Sequence, residues 1–105
     1  MLKIGVYGER HRAHEKVRQI YNELDESIVY DVVFGKDYSR IYLKDGSNIQ
    51  TVFTKSTSRG YRFDFIYVDK KYKDTEYFDN VILPSLSSSK LIDDNRDFRY
   101  VIRWF

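Results

Sequence analysis

Asp69 is the residue of this chain best placed to do chemistry. It follows four apolar residues, Phe65-Ile66-Tyr67-Val68. A buried strand of that kind holds the carboxylate at its tip rigidly enough to bind Mg²⁺ directly or through water. A turn or helix-cap aspartate is the plainer reading, since strands ending in Asp are common in α/β proteins. Asp64 lies five residues earlier, inside the same expected strand and on its other face. His11 and His14 stand one helical turn apart, within grip of a metal ion. No third ligand follows at metal-site spacing, however, and Arg10 and Arg12 would repel a cation.

The second cluster is basic. Arg10, His11, Arg12, Lys16 and Arg18 lie where a helix is expected to start, close to Tyr7. The free N–H groups and partial positive charge of a helix N-terminus would suit phosphate there. DNA is therefore a candidate partner, and such binding would weaken with salt. The plainer reading is a solvated helix face. Tyr30, Phe34, Tyr38, Tyr42 and Phe53 have the types to stack on bases, although aromatics at alternating strand positions more often pack. Trp104 and Phe105 offer an interaction surface or an edge of the core. Acyl-transfer chemistry has no support: Ser85, Ser87, Ser88 and Ser89 lie far from both histidines and without a Gly elbow.

The elements that must position these groups fit one domain of 105 residues, spanning 1–105. The lack of cysteine excludes disulfides and thiolate metal sites. A net charge of only +2 gives no global field favouring nucleic acid or membrane, but residues 1–18 hold five cations against two carboxylates. No apolar run approaches the roughly 20 residues of a bilayer span, and the first residues are too polar for a signal peptide. A cytoplasmic location without membrane contact is expected.

Residues 2–7 read as a buried strand ending at Gly8. Ala13, Val17, Ile20, Tyr21 and Leu24 then share one face of a helix from about Arg10 to Leu24. Segments 28–34, 40–43 and 48–54 read as an antiparallel ribbon, with Asp45-Gly46 as a hairpin signal. Residues 61–69 carry the strongest strand pattern. Thr75 caps a second expected helix that ends before Pro84, and residues 98–105 form a last strand. This order predicts an α/β fold: a small, mostly parallel sheet with crossover helices and an antiparallel hairpin insertion. Its parallel core would use 2–7, 63–68 and 98–104. Ligands of such sheets bind beyond the carboxyl ends of the strands, which directs attention to residues 8–11 and 69–71.

The run from Ile41 to Leu86 is strand, Asp-Gly-Ser, strand, Ser-Arg-Gly, the FIYVD strand, helix and Pro-Ser-Leu. It resembles the ATPase domain of the large terminase subunit, the DNA-packaging motor of tailed phages. The resemblance implies a P-loop-NTPase-like fold and matches Asp69 to the Walker B carboxylate. It also matches Arg59 and Gly60 to the loop before that strand, and Gly46 and Ser47 to the hairpin turn. Two departures remove the motor's chemistry. Lys70 stands where the family has its catalytic Glu, and no G-x-x-x-x-G-K-[ST] occurs. The fold implied is therefore incomplete, with an exposed flank that a second copy or a partner would cover. The expected function is a non-catalytic accessory protein of phage or prophage type with a degenerate terminase-ATPase-like core, working in the host cytoplasm. It would bind DNA through Arg10, His11, Arg12, Lys16, Arg18 and Arg59, or a protein partner, with Trp104 and Phe105 as the interaction surface. The alternatives are a protein-interaction module, such as an inhibitor of a host enzyme, and a partial ATPase completed by another subunit. No cofactor is expected beyond Mg²⁺ at Asp69.

Overall fold

Six short runs rich in Val, Ile, Tyr and Phe form strands, and the one long 3.6-residue apolar period forms the α-helix. The computed structural model describes residues 1–54, 61–92 and 98–105. Its elements are β1 (Lys3–Gly8), α1 (Arg10–Glu23), β2 (Val29–Phe34), β3 (Ser39–Leu43), β4 (Asn48–Phe53), β5 (Phe65–Val68) and β6 (Ile102–Trp104). They build a small α/β domain around one mixed sheet of order β2-β3-β4-β1-β5-β6. Three of its five strand pairings are parallel, and β2-β3-β4 is an antiparallel meander. The positions expected for Arg59 and Gly60 lie outside the described residues.

The ribbon is not an insertion beside the sheet. β4 pairs in parallel with β1 along its whole length, from Lys3↔Asn48 to Gly8↔Phe53. The reason lies in its alternation: Ile49 buries itself on one face and Val52 on the other, so β4 belongs in the sheet interior. The Asp-Gly signal held. Gly46 adopts φ 91°, a left-handed conformation that glycine takes without strain, and its N–H donates to the Leu43 carbonyl.

Helix α1 covers one face. Ala13, Val17 and Ile20 are buried against Val6, Ile41 and Ile49, with Tyr21 and Leu24 half-buried at the edge. Each fully buried Val or Ile contributes about 1.5–3 kcal/mol. The opposite face is covered by residues 76–86, which differ from the expected regular helix. One turn widens to a π-type turn over Phe78–Ile82 and then tightens into a 3₁₀ turn, Leu83–Leu86, that continues through Pro84. Pro84 sits in the first turn of that 3₁₀ segment, where its missing N–H costs little. The change of winding directs Phe78, Ile82 and Leu86 together into the core. Thr75 caps the segment as its type predicts, its Oγ1 accepting from the Phe78 N–H at 3.1 Å.

Two strands are shorter than their sequence patterns. Before β5 the chain is held by single bonds, Phe63 N–H to the Ser85 carbonyl and Asp64 N–H to the Lys3 carbonyl. Before β6 a 3₁₀ turn, Phe98–Val101, tucks Val101 inward and leaves Tyr100 outside. Among the described residues no helix is long and apolar enough to cross a membrane.

Gly5 is fixed by contact. A Cβ there would lie 2.6–2.8 Å from three atoms of the buried Phe63 ring, which is wedged edge-on to Tyr7 and stacked on Tyr61. Gly5→Ala is expected to lower stability by about 2 kcal/mol through overpacking. The check is urea unfolding, with a lower midpoint and an unchanged slope. A wild-type midpoint would contradict this placement of Phe63.

Candidate functional site

The carboxyl ends of β1 and β5 lie side by side, and Asp69 N–H donates to the Tyr7 carbonyl at 3.0 Å. The Asp69 carboxylate is buried, and both its oxygens are engaged. Oδ2 accepts from Arg12 Nε at 3.1 Å, and Oδ1 accepts from the Lys71 N–H at 3.1 Å, capping the 3₁₀ turn Lys70–Tyr72. Arg12 also lies over the Phe105 ring, 5.3 Å from its centroid, and Lys70 N–H donates to the Phe105 carbonyl. Lys71 pairs with Glu9, whose carboxylate raises the Lys71 ammonium above its ordinary pKa. A metal ion approaching Asp69 would have to displace the Arg12 guanidinium. Asp64 lies at the opposite end of β5, about 16 Å away at ~3.3 Å per residue. Among the described residues no three His, Cys, Asp or Glu side chains are grouped to hold a metal.

The basic residues of α1 divide into two flanks. Arg10 and Arg18 lean toward the meander, over Phe53 at 4.8 Å and Phe34 at 4.7 Å. Arg12 and Lys16 lean the other way, with the Lys16 ammonium over Tyr67 at 5.3 Å and Phe105 at 5.6 Å. In each case the charged head itself lies over an aromatic face, a contact worth about 0.5–1 kcal/mol. His11 and Glu15, 3.2 Å apart, form the ridge between the flanks. The four cations therefore do not share one face.

The two histidines also part. His14 turns inward, sharing a hydrogen bond with Ser39 Oγ and lying 5.2 Å from the Phe53 ring centroid. Burial holds its pKa below the ordinary imidazole value, with Arg10, Arg18 and His11 adding to the effect against the pull of the Lys36 carbonyl. At the chain end, Trp104 is half-buried against Phe78 and Phe105 is half-buried beside α1.

The aromatic ribbon is divided by strand alternation. Phe34 and Phe53 pack on the α1 side. Tyr38 and Tyr42 share the opposite face with Arg40 between them, its guanidinium 5.8 and 5.7 Å from their ring centroids. The apolar cluster on that opposite face contains no residue of β2 or β3, so this part of the sheet carries no helical cover among the described residues. Register sets Arg40 opposite Gln50, and the parallel pairing sets Lys3 beside Asn48. Together with Tyr61, Arg62 and Phe63 they line a hollow of about 430 Å³. A smaller hollow of about 160 Å³ shares Lys3, Arg62 and Phe63 with it and extends to Asp64, Ser88 and Lys90. Among the described residues, four cations and one carboxylate thus line a groove made of these two adjoining hollows.

That carboxylate is bound to backbone. Asp64 Oδ2 accepts from the Lys3 N–H and Oδ1 from the Lys90 N–H, both at 2.9 Å. Arg40 donates through Nη2 to Gln50 Oε1 and through Nη1 to the Tyr42 hydroxyl, while its Nε has no partner among the described residues. Sequence reasoning missed this groove. Its signal was the alternation of Tyr38, Arg40, Tyr42, Asn48 and Gln50 with the apolar Ile41 and Ile49, which marks a sheet with one solvated face. No family model, curated protein or solved structure matches the chain.

Proposed function

We propose that this protein is a non-catalytic accessory domain that binds nucleic acid on the uncovered face of its meander. The observation that carries the reading is the groove lined by Lys3, Arg40, Arg62 and Lys90, whose only carboxylate among the described residues is already bonded to two backbone N–H groups. A concave basic face focuses an attractive field on phosphates, although the whole chain is only +2. The terminase resemblance supports a degenerate ATPase-like core of phage type: the FIYVD strand lies between β1 and β6, with Lys70 after Asp69. The Arg12 hydrogen bond to the Asp69 carboxylate fits a structural role for that carboxylate, since a metal ion there would have to displace the guanidinium.

The test is binding of labelled DNA across ~50 to ~300 mM salt, where the log–log slope counts phosphate contacts. Lys3→Ala/Arg40→Ala/Arg62→Ala is expected to flatten that slope by about 2–3 and weaken binding at every salt concentration. Arg10→Ala/Lys16→Ala is expected to leave the slope within about 1 of wild type. Loss of binding in the helix variant alone would move the interface to α1. Absence of binding at low salt would replace this reading with a protein partner.

A further inference from the structure

We infer that the groove takes a single-stranded nucleic acid, with an unpaired base on Tyr61 and its phosphates on Arg40 and Lys3; this rests on the nucleic-acid reading above. The argument begins with Tyr61. Its ring is stacked on Phe63, with centroids 5.6 Å apart and planes 10° from parallel, while remaining 39% exposed. Phe63 is itself buried and wedged edge-on against Tyr7 at 5.9 Å. Tyr61 is thus a flat aromatic surface backed by a fixed ring, open on its outer side and set at the rim of a basic hollow.

Bases stack on such surfaces whatever their identity, but only when unpaired, because the bases of a duplex are already stacked on one another. The hollow, about 430 Å³, lies within the ~300–1,000 Å³ range of sites that enclose small organic groups. Its polar lining is mixed in the way a nucleotide requires. Arg40 and Lys3 supply donors for phosphate oxygens, and the Asn48 and Gln50 amides can both donate and accept at a base edge. Arg40 has donors to give, since its hydrogen bonds to Tyr42 and Gln50 use one N–H each of Nη1 and Nη2. It is also held in place by the Tyr38 and Tyr42 rings and by Gln50, so little side-chain freedom is lost on binding. Arg62, anchored through Nη1 to the Tyr61 carbonyl at 3.0 Å, lies beside the stacking ring, and Lys90 continues the basic track into the smaller hollow.

The experiment compares a labelled oligothymidylate with a hairpin duplex of equal charge, at one low salt concentration, by fluorescence anisotropy. The single strand is expected to bind more tightly than the duplex. Tyr61→Ala is expected to weaken single-strand binding by about 5- to 150-fold, the range set by loss of one base–aromatic stack, and to leave duplex binding unchanged. Tyr61→Phe keeps the ring and is expected to bind as wild type. Because Tyr61 is partly exposed, the alanine variant should fold, and its circular dichroism spectrum checks that. Equal binding of both DNAs, untouched by Tyr61→Ala, would overturn the inference and leave the basic face as a phosphate-only surface. No binding of either DNA would overturn both this inference and the reading on which it rests.

Discussion

Asp64→Ala is expected to lower the free energy of unfolding by about 3 kcal/mol or more. Asp64 fastens three pieces of chain at one end of the sheet. Its carboxylate accepts from the backbone N–H groups of Lys3 and Lys90, its own N–H donates to the Lys3 carbonyl, and its carbonyl accepts from Ser89 Oγ at 2.6 Å. The residue is 6% exposed, so water cannot simply replace the lost oxygens. Each hydrogen bond to a charged group is worth about 1.5–3 kcal/mol, and an unsatisfied N–H adds a penalty of its own. Against a typical total of about 5–15 kcal/mol, this removes a large share of the stability. Asp64→Asn retains one acceptor oxygen and is expected to lose roughly half as much. Urea unfolding of the two variants measures both. A loss under about 1 kcal/mol for Asp64→Ala would show that the clamp is not formed.

The second large effect is an alkaline loss of stability that depends on Tyr7. Tyr7 is fully buried on the sheet face covered by residues 76–86, and its hydroxyl has no hydrogen-bond partner among the described residues. Burial, the largest cause, pushes its pKa up to about 12 from 10.0. The Ser85 hydroxyl nearby eases the ionised form in part, but it directs its own proton to the Ile82 carbonyl. The folded state therefore holds the proton that the unfolded chain releases above 10. Tyr7 contributes its stability in full below pH 10 and loses it as pH rises from 10 to about 12. Two pKa steps correspond to about 3 kcal/mol. Tyr7→Phe removes the titration and the unpartnered hydroxyl together, so at neutral pH it is expected to be neutral or stabilising. Urea midpoints measured from pH 9 to 12 should fall less for Tyr7→Phe than for wild type, and parallel curves would contradict the assignment.

What the sequence revealed was local. The apolar period from Ala13 to Leu24, the Asp45-Gly46 turn, the Thr75 cap and the position of Asp69 beyond β5 all follow from short-range chemistry. The winding of residues 76–86 was not legible, because Pro84 signals an end only when its N–H is needed. The groove was not legible for a different reason. Lys3, Arg40, Arg62 and Lys90 are isolated cations in the chain, and the pairing of β4 with both β1 and β3, together with the Asp64 clamp, brings them together. The reverse holds for α1. Its basic residues form a cluster in sequence, yet helical geometry sends Arg10 and Arg18 to one side and Arg12 and Lys16 to the other. Asp64 was legible as a carboxylate near a strand, but its two N–H partners come from residues 61 positions earlier and 26 later.

The central claim is where nucleic acid sits, and amide chemical-shift mapping with a short oligothymidylate tests it most directly. Titration is predicted to move the amide signals of Lys3, Arg40, Asn48, Gln50 and Tyr61 together, with those of residues 9–18 at their free positions. Shifts confined to residues 8–18 and 69–71, with the meander face unmoved, would contradict the account and return the interface to the edge beside Asp69.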